Sequence, residues 1–181
     1  VSREAALPGL ATWGRVRDYR LQQLQTMPNV EIFRESTMTS ELVLEAECEL
    51  VALATGAKWR TDGVGRAHRS ALAGLDALPV FTPDDVMEGA EIPGPVVVYD
   101  DDHYYMGGVM AEQLRNRGLE VTLVTPAAVV SSWTEFTLEQ SRIQKRLLQL
   151  GVEILALSDV SAINSEGVFT THVYSGERRQ V

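Results

Sequence analysis

Between Pro95 and Leu157, short apolar runs alternate with longer stretches of helical periodicity, and this alternation leaves few folds open to the chain. Pro95-Val-Val-Val-Tyr99 reads as a buried strand, Met106 to Arg117 as a helix stopped by Gly118, and Glu120 to Thr125 as a second strand. Thr137 to Leu150 carries Leu138, Ile143, Leu147 and Leu150 at helical spacing and stops at Gly151, and Val152 to Leu157 makes a third strand. Short connections between such units predict an α/β fold with a Rossmann-like parallel sheet and right-handed crossovers. Gly167 to Tyr174 adds a strand expected to be antiparallel, and the last residues stop where a second hairpin strand would begin.

Upstream the pattern is weaker. Residues 1 to 14 form an irregular lead-in, and Val16, Tyr19, Leu24 and Met27 predict a helix over 15–27 that ends at Pro28-Asn29. Val30 to Phe33 alternates as a half-buried strand, Thr39 opens a short capped helix, and Glu49 to Thr55 reads as a buried strand closed by Gly56. Lys58 to Val80 is a glycine-containing connector, and Thr82-Pro83-Asp84-Asp85 opens a helix with Thr82 as N-cap. The expected organisation is a partial FAD/ADP-binding-like unit with its connector over 1–80 and an NAD(P)-binding-like unit over 81–181. With no initiator methionine and an interrupted last hairpin, the chain reads as a piece of a longer one.

Composition narrows the chemistry. The 181 residues carry 16 basic and 25 acidic side chains, a formal charge of -9 that repels phosphate backbones and anionic membranes. Nucleic acid and membrane surfaces are therefore not expected as partners, and without a signal peptide or a membrane-length apolar run the expected location is the cytoplasm. A single cysteine, Cys48, rules out a multi-cysteine metal or iron–sulfur site built from this chain alone. Glu45, Glu47 and Glu49 around it disfavour a reactive thiolate.

In a dinucleotide-binding fold the loop after the first strand is a glycine cradle, because a pyrophosphate needs bare backbone amides at a helix N-terminus. Here that loop reads Tyr99-Asp100-Asp101-Asp102-His103-Tyr104-Tyr105-Met106-Gly107-Gly108, and only Gly107 stands where the helix-packing glycine belongs. Three carboxylates repel an incoming pyrophosphate, and the second strand ends in Thr125-Pro126 rather than in a ribose-binding acid. The expectation is a dinucleotide fold whose cradle has become a solvated, acidic turn. His103 and its three aspartates are metal-type ligands that cannot converge from adjacent positions, and His68 and His172 have no carboxylate pair or nucleophile beside them in sequence. No catalytic or metal residue is assigned. Trp13, among Arg15, Arg17, Tyr19 and Arg20, reads equally as a stacking surface or as a partly buried anchor.

Ala6-Leu-Pro-Gly-Leu10, Trp13 with Arg17-Asp18-Tyr19-Arg20, Ala54-Thr-Gly-Ala-Lys-Trp59, Phe81-Thr-Pro-Asp-Asp-Val-Met87, the Asp-Asp-Asp-His-Tyr-Tyr-Met turn and Phe136-Thr-Leu-Glu139 occur in this order. Together they resemble the carboxy-terminal half of the trimethylamine dehydrogenase family, which includes dimethylamine and histamine dehydrogenases. The resemblance implies a parent oxidoreductase that oxidises an amine with FMN, carries a 4Fe-4S cluster, and passes electrons to an electron-transferring flavoprotein. It places the barrel, the FMN and the cluster outside this chain, which would act as a scaffold, with ADP or FAD as the nucleotide and a homodimer as the assembly. It makes Thr55, Gly56 and Ala57 the best nucleotide contacts, with Asp102 and Gly107 marking the second cradle. The competing readings are a stand-alone nucleotide-binding or docking module and part of an NAD(P)H-dependent flavin reductase of the dienoyl-CoA reductase type.

Overall fold

A computed structural model describes all residues, 1–181. The ordered centre is a three-stranded parallel sheet, β1 (Val96–Tyr99), β2 (Val121–Val124) and β3 (Glu153–Leu155), in the order β1-β2-β3. Val96 pairs with Val121 and Thr122 with Glu153, so each strand starts in step with its neighbour. The crossovers contain α4 (Tyr105–Asn116) and α5 (Gln140–Gln149). The chain returns to the same end of the sheet after each strand, as parallel pairing requires.

The core follows from the α4 sequence. Met106, Val109, Met110, Ala111 and Leu114 recur at three- and four-residue spacing, so they share one face and are buried. That face meets Val121 and Leu123 of β2, together with Leu147 of α5, Val130 and Val152. Leu123 is fully buried in the central strand, as expected for a parallel sheet covered by helices. Two upstream elements dock on this core. Val86 of α3 (Pro83–Glu88) is buried, and Thr82, the N-cap read in the sequence, forms a reciprocal capping box with Asp85. Leu7, in the lead-in, is 6% exposed and anchors the first residues.

Arg115 fastens the far ends of the helices. Its Nε donates to the Leu150 carbonyl at 2.7 Å, at the end of α5, and its Nη1 donates to the Leu119 carbonyl at 2.9 Å. One guanidinium thus satisfies the carbonyl at the C-cap of α5 and one in the link between α4 and β2.

Several expectations are corrected. Neither Val30–Phe33 nor Glu49–Thr55 forms a strand; both are irregular and exposed, because no other element lies alongside to accept their backbone hydrogen bonds. Between them α2 (Ser40–Glu45) forms, with Thr39 accepting from the Leu42 amide as its cap. The helix predicted over 15–27 is α1 (Gly14–Thr26), and none of its residues is buried. The predicted third strand ends early: Leu157 turns with φ 53 and the chain enters β4 (Ser158–Asn164). β4 pairs antiparallel with β5 (Gly167–His172), which pairs with β6 (Arg178–Gln180), so the last hairpin is made rather than interrupted. The helix predicted from Thr137 starts at Gln140, since Leu138 sits at φ 62.

The accessible surface is 12482 Å² for a 19.9 kDa chain, whereas a compact monomer of that mass exposes about 8700 Å². Part of the excess lies upstream of α3, where Phe33, Met38, Leu44, Leu50 and Leu53 are 60% exposed or more.

Arg115→Ala is expected to cost about 1.5–3 kcal/mol in urea unfolding, the range for hydrogen bonds involving a charged group. Arg115→Lys should recover less than half of that, because a single ammonium lacks the fork that reaches both carbonyls.

Candidate functional site

The carboxyl ends of β1 and β2 are where an open parallel sheet builds its sites. Three segments converge there: the turn 100–104 after β1, the loop 125–131 after β2, and residues 63–68 of the connector. Tyr99 closes β1 and its hydroxyl donates to Asp159 Oδ1 of β4. The same oxygen lies 3.1 Å from His68 Nε2 in the connector. One carboxylate thus ties the connector, the parallel sheet and the antiparallel sheet together. Burial, and then the hydrogen bond to Asp159, push the Tyr99 phenol far above its ordinary range, so it remains a proton donor.

The acidic turn is not solvated as the sequence suggested. Asp100 is 2% exposed, and its Oδ1 accepts the His103 amide at 3.0 Å while Oδ2 has no partner. Burial raises the Asp100 pKa, opposed by the His103 amide and the His103 charge. Asp101 accepts the backbone amides of Arg66 and Ala67, and Asp102 makes no side-chain hydrogen bond. His103 takes a left-handed φ of 64, which brings Nδ1 to 3.5 Å from the hydroxyl of buried Thr125. The turn folds inward because backbone amides offer its carboxylates better partners than the neighbouring aspartates do.

Gly107, in the first turn of α4, has no room for a side chain: a Cβ there would lie 2.4 Å from Asp100 Cγ. Thr55, Gly56 and Ala57 lie apart, in an exposed segment outside any helix or strand; Gly56 has φ 80 and open space where a Cβ would stand. The structure therefore places Asp102 in the turn after β1 and Gly107 in the first turn of α4 that follows it, and does not bring Thr55–Ala57 into the hydrogen-bond network of that turn. Sequence reading missed Tyr99 and Asp159, and set His68 aside for want of a carboxylate pair or nucleophile beside it. No local signal could have shown this pairing, because 91 residues separate His68 from Asp159.

A cavity of about 700 Å³ opens elsewhere, between the lead-in and helices α4 and α5, with Trp13, Tyr104, Tyr105, Arg142 and Arg146 in its wall. Trp13 is 60% exposed there, which favours the stacking-surface reading over the buried anchor. Among His, Cys, Asp and Glu side chains, no group of three converges to hold a metal ion, and Cys48 is exposed.

The raised Asp100 pKa means that the native state binds this proton more tightly than the unfolded chain. Its stabilising contribution is full below the unfolded value of ~3.9 and is lost as pH rises through the native value. In urea unfolding between pH 4 and 7, wild type is expected to lose stability relative to Asp100→Asn as pH increases. A constant difference would show that Asp100 ionises freely in the fold.

Residues 81–180 match the family described as OYE-like second alpha/beta domain. Dimethylamine dehydrogenase from Hyphomicrobium sp. (strain x) is 34% identical over 171 residues, which cover 90% of this chain and 23% of that protein. Histamine dehydrogenase from Rhizobium sp. 4-9 superposes with a TM-score of 0.93 at 48% identity, over 99% of this chain and 28% of that one. The 6-hydroxypseudooxynicotine amine oxidase from Pseudomonas geniculata N1 gives 0.94 at 41% identity, over 99% and 27%. The chain spans about a quarter of the length of each of these relatives. With the family match covering 81–180 and near-complete superposition on two amine-oxidising enzymes, the chain belongs to the trimethylamine dehydrogenase-like family, residues 81–180 being its OYE-like second alpha/beta domain.

Proposed function

We propose that this chain is the nucleotide-binding-like region of a larger FMN- and iron–sulfur-dependent dehydrogenase that oxidises a small amine, and that it acts as scaffold rather than catalytic centre. The observation that carries this is superposition over 99% of the chain on two enzymes of 41% and 48% identity whose names specify amine substrates. The exposed surface supports it. Leu44, Leu50 and Leu53 are each more than three-quarters exposed, and each forgoes about 1.5–3 kcal/mol of burial that a neighbouring part of a larger protein would supply.

In this reading residues 1–80 are part of an FAD/ADP-binding-like domain and 81–181 an NAD(P)-binding-like domain of Rossmann type. Thr55, Gly56 and Ala57 approach an ADP or FAD, for which the open backbone at Gly56 leaves room. Gly107 and Asp102 mark the second cradle, where Gly107 serves close packing of α4 on the Asp100 side chain. The residues present do not fit a 4Fe-4S cluster, since the chain has one cysteine and no converging ligand set. Those centres belong to the rest of the parent, with an electron-transferring flavoprotein as acceptor, a homodimer as the assembly and the cytoplasm as the location. No helix is long and apolar enough to cross a membrane.

The test is anaerobic titration of the whole parent protein, followed by its flavin spectrum, with dimethylamine, trimethylamine, histamine, 6-hydroxypseudooxynicotine and NADH in turn. Bleaching by at least one amine and not by NADH is the expected result. Bleaching by NADH alone would replace this reading with an NADH-dependent flavin reductase.

A further inference from the structure

The connector residues Gly63-Val-Gly-Arg-Ala67 have the features of an anion receptor. The successive amides of Arg66 and Ala67 converge on one point, where Asp101 Oδ2 accepts both, at 2.5 and 2.9 Å, and Oδ1 lies 3.1 Å from the Ala67 nitrogen. Gly65 beside them permits the approach: a Cβ there would lie 2.3 Å from Asp101 Oδ2. Consecutive amides aimed at one oxygen, with no side chain in the way, are how backbone loops hold phosphate.

Two further observations point the same way. In a chain of net charge -9, residues 58–69 carry Lys58, Arg60, Arg66 and Arg69 against a single acid, Asp62, which Arg60 already pairs. The Arg66 guanidinium sits over Trp133, its Cζ 4.1 Å from the ring centroid, at the edge of the same site. The nest also faces the turn after β1, where a dinucleotide fold holds its pyrophosphate. Its occupant is a carboxylate from that turn, with its side chain 12% exposed.

We propose that the Gly63–Ala67 loop is a phosphate-type anion site whose resident anion is Asp101, so that the domain keeps a dinucleotide cradle closed with its own side chain. Asp101 is tethered a few ångströms from the amides and therefore acts at an effective concentration that free phosphate does not match. Removing its charge and length exposes two unpaired amides beside a guanidinium, and a pyrophosphate is the ligand class that satisfies all three. The inference stands on this geometry alone and does not depend on the amine-oxidation reading.

The probe is inorganic pyrophosphate at constant ionic strength, titrated by calorimetry into wild type, Asp101→Ala and Asp101→Asn, with melting temperatures measured alongside. Asp101→Ala is expected to bind at least tenfold more tightly than wild type, shifting the Arg66 and Ala67 amides in ¹⁵N–¹H spectra. Adding Gly65→Val should abolish the gain by filling the approach. Asp101→Asn keeps the size and one acceptor oxygen, and decides the matter by a gain of several-fold if the alanine variant does not fold. Equal affinity in wild type and the folded variants, or shifts that leave Arg66 and Ala67 unmoved, would overturn the proposal.

Discussion

The close approach of α4 to the end of β1 sets the rest of the arrangement. Gly107 lets the first turn of α4 lie against the Asp100 side chain, and the apolar face of α4 then falls on β2. A side chain at 107 would push the helix outward and open the layer that Val109, Met110 and Leu114 share with Leu123. With α4 in place the turn 100–104 must fold back over the sheet edge, and its carboxylates meet whatever backbone lies there.

That constraint explains why an acidic turn can be an ordered one. Asp100 is held by the His103 amide, Asp101 by the amides of Arg66 and Ala67, and Asp159 by the Tyr99 hydroxyl with His68 alongside. The connector is thereby fixed to the α/β layer through a handful of polar contacts rather than through a core of its own. Upstream of it the chain loses that support: residues 30–60 have no sheet to join and leave their apolar side chains in water. The relatives are about four times longer, and the same segment superposes on them within 99% coverage. Its shape thus belongs to a family whose members carry much more chain around it.

Legibility followed the range of the interactions. The α4 helix, its stop at Gly118, the three parallel strands and the Thr82 N-cap were readable because each rests on spacing within a few residues. The strands expected at Val30–Phe33 and Glu49–Thr55 were misread because apolar patterning reports a demand for burial, which only a neighbouring element can meet. β4 was missed because Ser158, Asp159, Ser161 and Asn164 interrupt its apolar alternation and a bulge lies between Val160 and Ala162. The loss of a glycine cradle was visible in Asp100-Asp101-Asp102, whereas the partners of those carboxylates were not.

The sequence by itself determined the local elements of the α/β layer, the absence of a glycine-rich phosphate loop after β1 and the family to which the residues belong. Propensity, periodicity and motif order are properties of neighbouring residues and need no coordinates. Only the tertiary structure decided that Asp101 closes on amides 34 and 35 residues away, and that His68 and Tyr99 meet at Asp159 across 91 and 60 residues. Contacts of that separation leave no periodic trace, because their geometry comes from how the packed layers bring loop ends together. Hydrogen bonds of this kind form where desolvated donors and acceptors meet, and that meeting point is set by the packing of α4 on the sheet.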